Sequence, residues 1–173
     1  MPPWLEQVAE NEFYRYPLEY NHRILDGAPA FFGRCLYNRA TGVELDPPRS
    51  VSNILDCMVM TVLPQHFAQY SMGTMERVVI NGMTSANDPG AHTDYDEDYM
   101  WTMVYMLLGC SGDLIVGQER IQYQPHRMCI FPSNQMHRAL PPDGQDWRVT
   151  IAASFSLNLK QVLGQDHTGY PRP

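Results

Sequence analysis

The spacing of apolar residues in the first part of the chain predicts one clear helix. Ile54, Met58 and Val62 recur every four residues in the segment VSNILDCMVMTVL, so they fall on one helical face. Ser50 lies just before this segment and can cap the helix, because its hydroxyl accepts a hydrogen bond from a free amide of the first turn. Pro64 is expected to end or kink the helix. A short helix is also predicted over residues 4–9, and residues 10–50 give no firm assignment.

From residue 76 onward the pattern changes to short β-like runs separated by turn residues. The run YMWTMVYMLL is apolar on both faces, which is typical of a strand that is buried on both sides. Several short strands at regular intervals predict a sandwich or a barrel. A small closing helix is predicted over residues 157–165. The other predicted strands are ERVVI, DLIVG, RIQYQ, RMCIF and RVTIAASFSL.

The length of 173 residues fits a single domain. We expect helical and irregular structure over 1–75, a β core over 76–156 and a C-terminal tail over 157–173. The fold class is therefore mainly β, with helices in the N-terminal part.

Charge and cysteine usage narrow the possible partners. The formal net charge of −7 argues against nucleic acid and anionic membranes, since both bind basic surfaces. The four cysteines form no CxxC pair, so a zinc site built on thiolates is not expected. The sequence shows neither a signal-peptide pattern nor an apolar run of about 18 residues. We expect a cytoplasmic protein that acts on a small molecule.

A possible metal site begins with the triplet His92-Thr93-Asp94, which lies between a glycine-containing turn and the long apolar strand. On extended backbone, residues i and i+2 point to the same side, so this imidazole and this carboxylate can hold one face of a metal ion. His137, which follows the run RMCIF and a loop, is the best candidate for the third ligand. Two histidines and one carboxylate on one face leave three positions open, as in non-haem Fe(II) oxygenases.

Arg148 adds a fourth element, eleven residues after His137. It opens the last predicted strand, and Thr150 lies on the same face two residues later. A guanidinium beside a hydroxyl is suited to hold a carboxylate in a fixed orientation. Taken alone, Asp94 could simply belong to a solvated acidic loop. His137 could be a surface histidine, and Arg148 could be a member of an ion pair. Their order and strand context favour a joint site.

The residues around this site resemble the 2-oxoglutarate/Fe(II) oxygenase superfamily, in particular its prolyl 4-hydroxylase-like branch. The segments that carry the resemblance are AHTDYDEDYMWTMVYMLL, SGDLIVG, QYQPHRMCIFPSNQMHRALPP and WRVTIAASF. The resemblance covers residues 76–156, about half of the chain. The resemblance implies a double-stranded β-helix (jelly-roll, cupin-like) core with N-terminal helices packed on it.

The resemblance also implies the chemistry of the site. His92, Asp94 and His137 would bind Fe(II), and Arg148, with Thr150, would hold 2-oxoglutarate as the co-substrate. Dioxygen and a small-molecule substrate would complete the reaction, with hydroxylation as the default outcome and succinate and carbon dioxide as co-products.

Three further residues are candidates for the same pocket. Tyr105 lies where members of the superfamily often place a tyrosine that touches the co-substrate, although core packing explains it equally well. Arg77 and Asn81 share one face of the strand before the metal turn and are expected to reach the pocket.

Two other functions stay open on the sequence alone. A metal-dependent cupin enzyme that does not use 2-oxoglutarate, such as an isomerase or another dioxygenase, would keep the triad but not need Arg148. A non-enzymatic jelly-roll binding module would hold no metal at all.

Overall fold

A computed structural model describes residues 19–21, 31–45, 49–145 and 147–159 of the chain. Within these ranges the regular structure consists of ten strands and two helices that are joined by a π-helical segment, Met58–Val62. The helices are α1 (Arg49–Cys57) and α2 (Leu63–His66). The strands are β1 (Glu19–Asn21), β2 (Phe31–Asn38), β3 (Val43–Glu44), β4 (Tyr70–Met83), β5 (Met100–Leu108), β6 (Leu114–Val116), β7 (Glu119–Ile121), β8 (Met128–Pro132), β9 (His137–Ala139) and β10 (Arg148–Leu159).

The strands form two antiparallel sheets. The larger sheet has the order β1-β2-β4-β10-β5-β8, with β3 paired to β2. The smaller sheet has the order β7-β6-β9. This architecture is the double-stranded β-helix, or jelly roll, and it confirms the predicted fold class.

Strand alternation separates a core face from a cavity face on the large sheet. In β10, Ile151, Ala153 and Phe155 are almost fully buried and pack against the helices. The intervening residues of the same strand, Arg148, Thr150, Ala152 and Ser154, line a cavity on the other face. Because successive side chains of a strand point to opposite faces, one strand contributes both to stability and to the candidate site.

The predicted helix is present, but Pro64 does not end it. Ile54 and Met58 are fully buried in the core, as their spacing predicted. Helical structure continues through Pro64 to His66, after the wider π-helical turn in which the Leu63 amide donates to the Met58 carbonyl. A wider turn leaves room for the proline ring, which would otherwise clash with the carbonyl four residues earlier. Among the described residues, no helix is long and apolar enough to cross a membrane.

Several predicted boundaries were wrong. Strands β2 and β3 lie within the region 1–75, which was expected to be helical or irregular, and β4 begins at Tyr70 rather than near residue 76. Strand β9 was missed, and β10 continues to Leu159 where the closing helix was expected to begin. Pairing along most of β4 extends β10 in this direction and outweighs local helical propensity. The rest of that helix, and the helix predicted over 4–9, lie outside the described residues.

Candidate metal centre

The three residues that the sequence singled out as candidate metal ligands lie together in the cavity wall. The ligand atoms of His92, Asp94 and His137 all lie within 4.8 Å of one another. The Nε2 atom of His92 is 3.9 Å from Asp94 Oδ1, and the Nε2 atom of His137 is 3.7 Å from Asp94 Oδ2. These spacings are compatible with one ion between the three groups.

The backbone holds the two histidines in register across the gap between the sheets. The His92 amide donates to the His137 carbonyl at 2.9 Å, and the His137 amide returns a bond to the His92 carbonyl at 2.8 Å. The two rings consequently lie with their centroids 4.5 Å apart. This isolated bridge brings together two residues that are 45 positions apart in the chain.

Each imidazole is oriented by a backbone carbonyl near its other nitrogen. His137 Nδ1 lies 3.0 Å from the Gln135 carbonyl oxygen, and His92 Nδ1 lies 3.3 Å from that of Gly90. Since a carbonyl only accepts, this contact favours a proton on Nδ1 and leaves the Nε2 lone pair for a metal. Burial lowers the pKa of His137, which also favours the neutral, ligating form.

A hydroxyl chain supports the carboxylate ligand. Thr102 Oγ1 donates to Asp94 Oδ2 at 2.7 Å, and the same hydroxyl lies 2.8 Å from Ser133 Oγ. The Asp94 amide donates to the Ser133 carbonyl at 3.0 Å, so both the side chain and the backbone of Asp94 are held. Thr102 and Ser133 are buried, and sequence reasoning missed both of them.

An ion pair holds the loop that carries His92. Asp88 accepts hydrogen bonds from Nε and Nη2 of Arg138, the former at 3.1 Å. The same carboxylate accepts the Gly90 amide at 3.0 Å. The Arg138 guanidinium and the Gly90 amide together lower the pKa of Asp88. This pair links the loop after β4 to the residue that follows His137.

The donor set fits a divalent first-row metal with open coordination positions. Two imidazoles and one carboxylate that lie close together form the arrangement found in non-haem iron oxygenases. The flanking carbonyls and hydroxyls supply the outer contacts that such ligands usually have. His92, Asp94 and His137 could therefore hold iron.

The cavity beside the triad has a volume of about 370 Å³, and Arg148 lies in its wall. Arg148 is only 2% exposed. Its Nη1 atom is 3.5 Å from Met83 Sδ, and its guanidinium carbon lies 5.3 Å from the centre of the Tyr123 ring. Its Nε and Nη2 atoms have no hydrogen-bond partner among the described residues. Burial lowers the pKa of Arg148.

A buried cation with two unsatisfied donors is costly unless an anion binds it. Thr150 lies two residues along the same face of β10 and also lines the cavity, where it is 3% exposed. Asn81 is opposite Thr150 in the β4–β10 register, and its buried Oδ1 has no donor among the described residues. This wall of the cavity can thus bind a ligand that carries a carboxylate.

Tyr105 lies on the other face of the sheet and does not line the cavity. Its side chain is 1% exposed, and its hydroxyl lies 3.0 Å from His126 Nδ1. Thr102 and Val104 have the opposite parity on β5 and face the cavity instead. The structure therefore supports the core-packing interpretation of Tyr105. His126, expected to be exposed, is half-buried.

Comparison with solved structures shows the fold of 2-oxoglutarate-dependent iron oxygenases. The chain is similar to an oxidoreductase of the 2OG-Fe(II) oxygenase family from Burkholderia pseudomallei, with a TM-score of 0.60 and 18% identity over 86% of this chain and 78% of that one. For a prolyl-4-hydroxylase from Pseudomonas putida the TM-score is 0.65, with 14% identity over 90% and 88%. For the non-heme alpha ketoglutarate dependent epimerase SnoN from nogalamycin biosynthesis the TM-score is 0.64, with 8% identity over 99% and 83%.

No family model and no curated protein matches the sequence. The structural neighbours include both a hydroxylase and an epimerase, so the shared fold does not define the reaction. Function has to be argued from the residues of this site.

Proposed function

We propose that the protein is an Fe(II)- and 2-oxoglutarate-dependent oxygenase that hydroxylates a small molecule. The observation that carries this proposal is Arg148, a buried guanidinium in the same cavity as the triad, of which two donors have no partner in the described part of the chain. A bound dicarboxylate would satisfy the cation at one end and approach the metal ligands at the other. Fold similarity to oxygenases supports the same conclusion.

The residues of this chain have separate tasks in that reaction. His92, Asp94 and His137 would hold iron on one face, with Thr102 fixing the orientation of the carboxylate. Arg148 would bind the far carboxylate of 2-oxoglutarate, and the Thr150 hydroxyl would donate to the same group. When bound, iron and 2-oxoglutarate would supply the oxidising chemistry, with dioxygen consumed and succinate and carbon dioxide released. The apolar part of the cavity wall would exclude water from the reacting groups.

The proposal is tested by adding Fe(II) and 2-oxoglutarate to the purified protein without oxygen. A weak visible charge-transfer band is expected when 2-oxoglutarate chelates the iron. The band should be absent in His137→Ala and much weaker in Arg148→Gln at the same co-substrate concentration. Arg39→Gln is a matched control, because Arg39 is 58% exposed and pairs with Glu76, which does not line the cavity.

The same experiment separates the alternatives. Bound iron without the band would favour a cupin enzyme that does not use 2-oxoglutarate. Neither metal nor band, with the same result in wild type and His92→Ala, would favour a non-enzymatic binding module. A cytoplasmic location and a single domain over 1–173 stay predictions, whereas the tail predicted over 157–173 cannot begin before residue 160, because β10 extends to Leu159.

A further inference from the structure

A second cation lines the same cavity and has no partner among the described residues. Arg77 lies on β4, and its side chain points to the cavity face with Val79 and Asn81. The adjacent carboxylate, Glu76, points to the opposite side of the strand and pairs with Arg39 at 2.9 Å. No described residue forms an ion pair or a hydrogen bond with the Arg77 side chain.

The strand register places Arg77 beside the candidate metal ligands. Arg77 is opposite Ser154 on β10, and Ser154 is opposite Thr102 on β5. Thr102 in turn holds the Asp94 carboxylate. Two strand spacings separate Arg77 from Thr102, roughly 10 Å between Cα atoms. The long side chain of Arg77 therefore extends into the part of the cavity nearest the triad.

Arg148 lies in the other part of the cavity. It is opposite Met83 in the register of β4 and β10, six residues along the strand from Arg77. That separation corresponds to roughly 20 Å between Cα atoms along the strand. The two cations are thus distinct anion sites on one wall. If Arg148 holds 2-oxoglutarate, Arg77 remains for a different ligand.

We propose that Arg77, with the hydroxyl of Ser154, binds the carboxylate of the primary substrate. This inference rests on the proposed function, because it assigns the co-substrate to Arg148. A planar guanidinium binds a carboxylate through two parallel hydrogen bonds, and the hydroxyl can donate a third. Ser154 is 5% exposed and lines the cavity next to Arg77.

The size of the cavity limits this substrate. A volume of about 370 Å³ lies near the lower end of the range for ligand pockets, roughly 300–1,000 Å³. Since the co-substrate occupies part of that space, the remaining room fits a small carboxylic acid. We therefore take a free amino acid, a hydroxy acid or an acid of similar size as the substrate class to be tested.

The test measures binding rather than turnover. Protein is loaded with Zn(II), which is redox-inactive, and saturated with 2-oxoglutarate so that Arg148 is occupied. Free α-amino acids and 2-hydroxy acids are titrated by calorimetry, each beside its primary carboxamide.

At least one acid should bind wild type roughly ten- to hundredfold more tightly than its amide, because only the acid forms charge-assisted hydrogen bonds with the guanidinium. Arg77→Gln should remove this preference, and Arg77→Lys should retain part of it. The affinity for 2-oxoglutarate should stay within about twofold in both variants, because the two anion sites are well separated.

Arg39→Gln is the matched control, because Arg39 is 58% exposed and pairs with Glu76 on the other side of the strand. It should leave both affinities unchanged. The proposal would be overturned if the acids bound Arg77→Gln as tightly as wild type. It would also be overturned if no acid of the series bound wild type. Should 2-oxoglutarate fail to bind wild type, the proposed function fails instead. The acid and amide pairs are then titrated on the Zn(II)-loaded protein alone, where disappearance of the acid preference in Arg77→Gln still decides the role of Arg77.

Discussion

Among the single residues, Arg148 is expected to lower the stability of the ligand-free protein and to provide the binding site for the co-substrate. Its guanidinium is buried and two of its donors have no hydrogen-bond partner among the described residues, so the folded protein carries a desolvation cost. Met has a similar length and no charge, and it can pack against Met83 and Tyr123. We expect Arg148→Met to raise the free energy of unfolding by about 1–2 kcal/mol in the absence of ligands. Denaturant unfolding of wild type and variant measures this difference.

The same variant should bind 2-oxoglutarate at least about a hundredfold more weakly. Arg39→Met serves as the control for both measurements, since its exposed site should change stability by less than about 0.5 kcal/mol. A variant that is less stable and still binds the co-substrate would contradict the role given to Arg148.

Thr102 is the other residue whose contribution is specific to the site. Replacing it with Val keeps the volume but removes the hydroxyl that donates to Asp94. Metal affinity should fall about ten- to hundredfold, because outer contacts orient the ligand. Competition with a chromophoric chelator measures this affinity. Thr61→Val, at an exposed position of the π-helical turn, should leave it unchanged.

The candidate ligands could be picked out from the sequence because their signals are local. His92 and Asp94 share a face through the two-residue period of extended chain, and Arg148 opens a strand. Thr102 and Ser133 could not be found in this way, since they meet only when β5 pairs with β8. The sequence could not tell whether Tyr105 faces the core or the cavity, because β5 is apolar on both faces. In the structure its side chain lies on the core face.

At the scale of the element, the loop between β4 and β5 is held by Asp88 and Arg138. Asp88→Asn keeps an oxygen for the Gly90 amide but removes the charge pair with Arg138. We expect metal affinity to fall severalfold, since His92 is carried by this loop. The free energy of unfolding should fall by no more than about 1 kcal/mol, because both side chains are 42% exposed. Equal metal affinity in wild type and Asp88→Asn would show that the loop is held by the backbone bridge alone.

Asp113 lies in the turn before the β6–β7 hairpin, and its contribution to the free energy of unfolding should depend on pH. The carboxylate accepts the Tyr123 amide at 2.8 Å and pairs with Arg120 at 2.7 Å, and these contacts lower the pKa of Asp113. A lowered folded-state pKa stabilises the protein above the unfolded value, near 3.9, and this contribution disappears as pH falls through the folded pKa. The stability difference between wild type and Asp113→Asn should therefore shrink below about pH 4. Unfolding curves of both proteins between about pH 6 and pH 3 measure it, and a constant difference would contradict the assignment.

Elements without clear alternation were the ones that the sequence did not predict. Strand β2, FFGRCLYN, contains a glycine and an arginine in its middle, which breaks the two-residue pattern. It exists because it pairs with β4 over six residue positions. Strand β9 is only three residues long and is specified by its pairing with β6. Both strands depend on long-range pairing rather than on local propensity.

At the scale of the whole molecule, the metal and the co-substrate should stabilise the fold together. A ligand that binds only the folded state adds about 2.7 kcal/mol at one hundred times its Kd. For a chain of this size we expect the Tm to rise by about 5–10 °C with Zn(II) and 2-oxoglutarate. 2-Oxoglutarate without metal should give a smaller rise, and none in Arg148→Met. Calorimetric melting curves test this dependence, and a rise independent of Arg148 would contradict it.

The central claim is that one cavity holds iron at the triad and a dicarboxylate at Arg148. Its most direct test is a crystal structure of the protein prepared without oxygen in the presence of Fe(II) and 2-oxoglutarate. We expect iron bound by His92, Asp94 and His137, with the far carboxylate of 2-oxoglutarate within hydrogen-bond distance of Arg148 Nε or Nη2. Iron at the triad with 2-oxoglutarate absent, or bound away from Arg148, would contradict the claim.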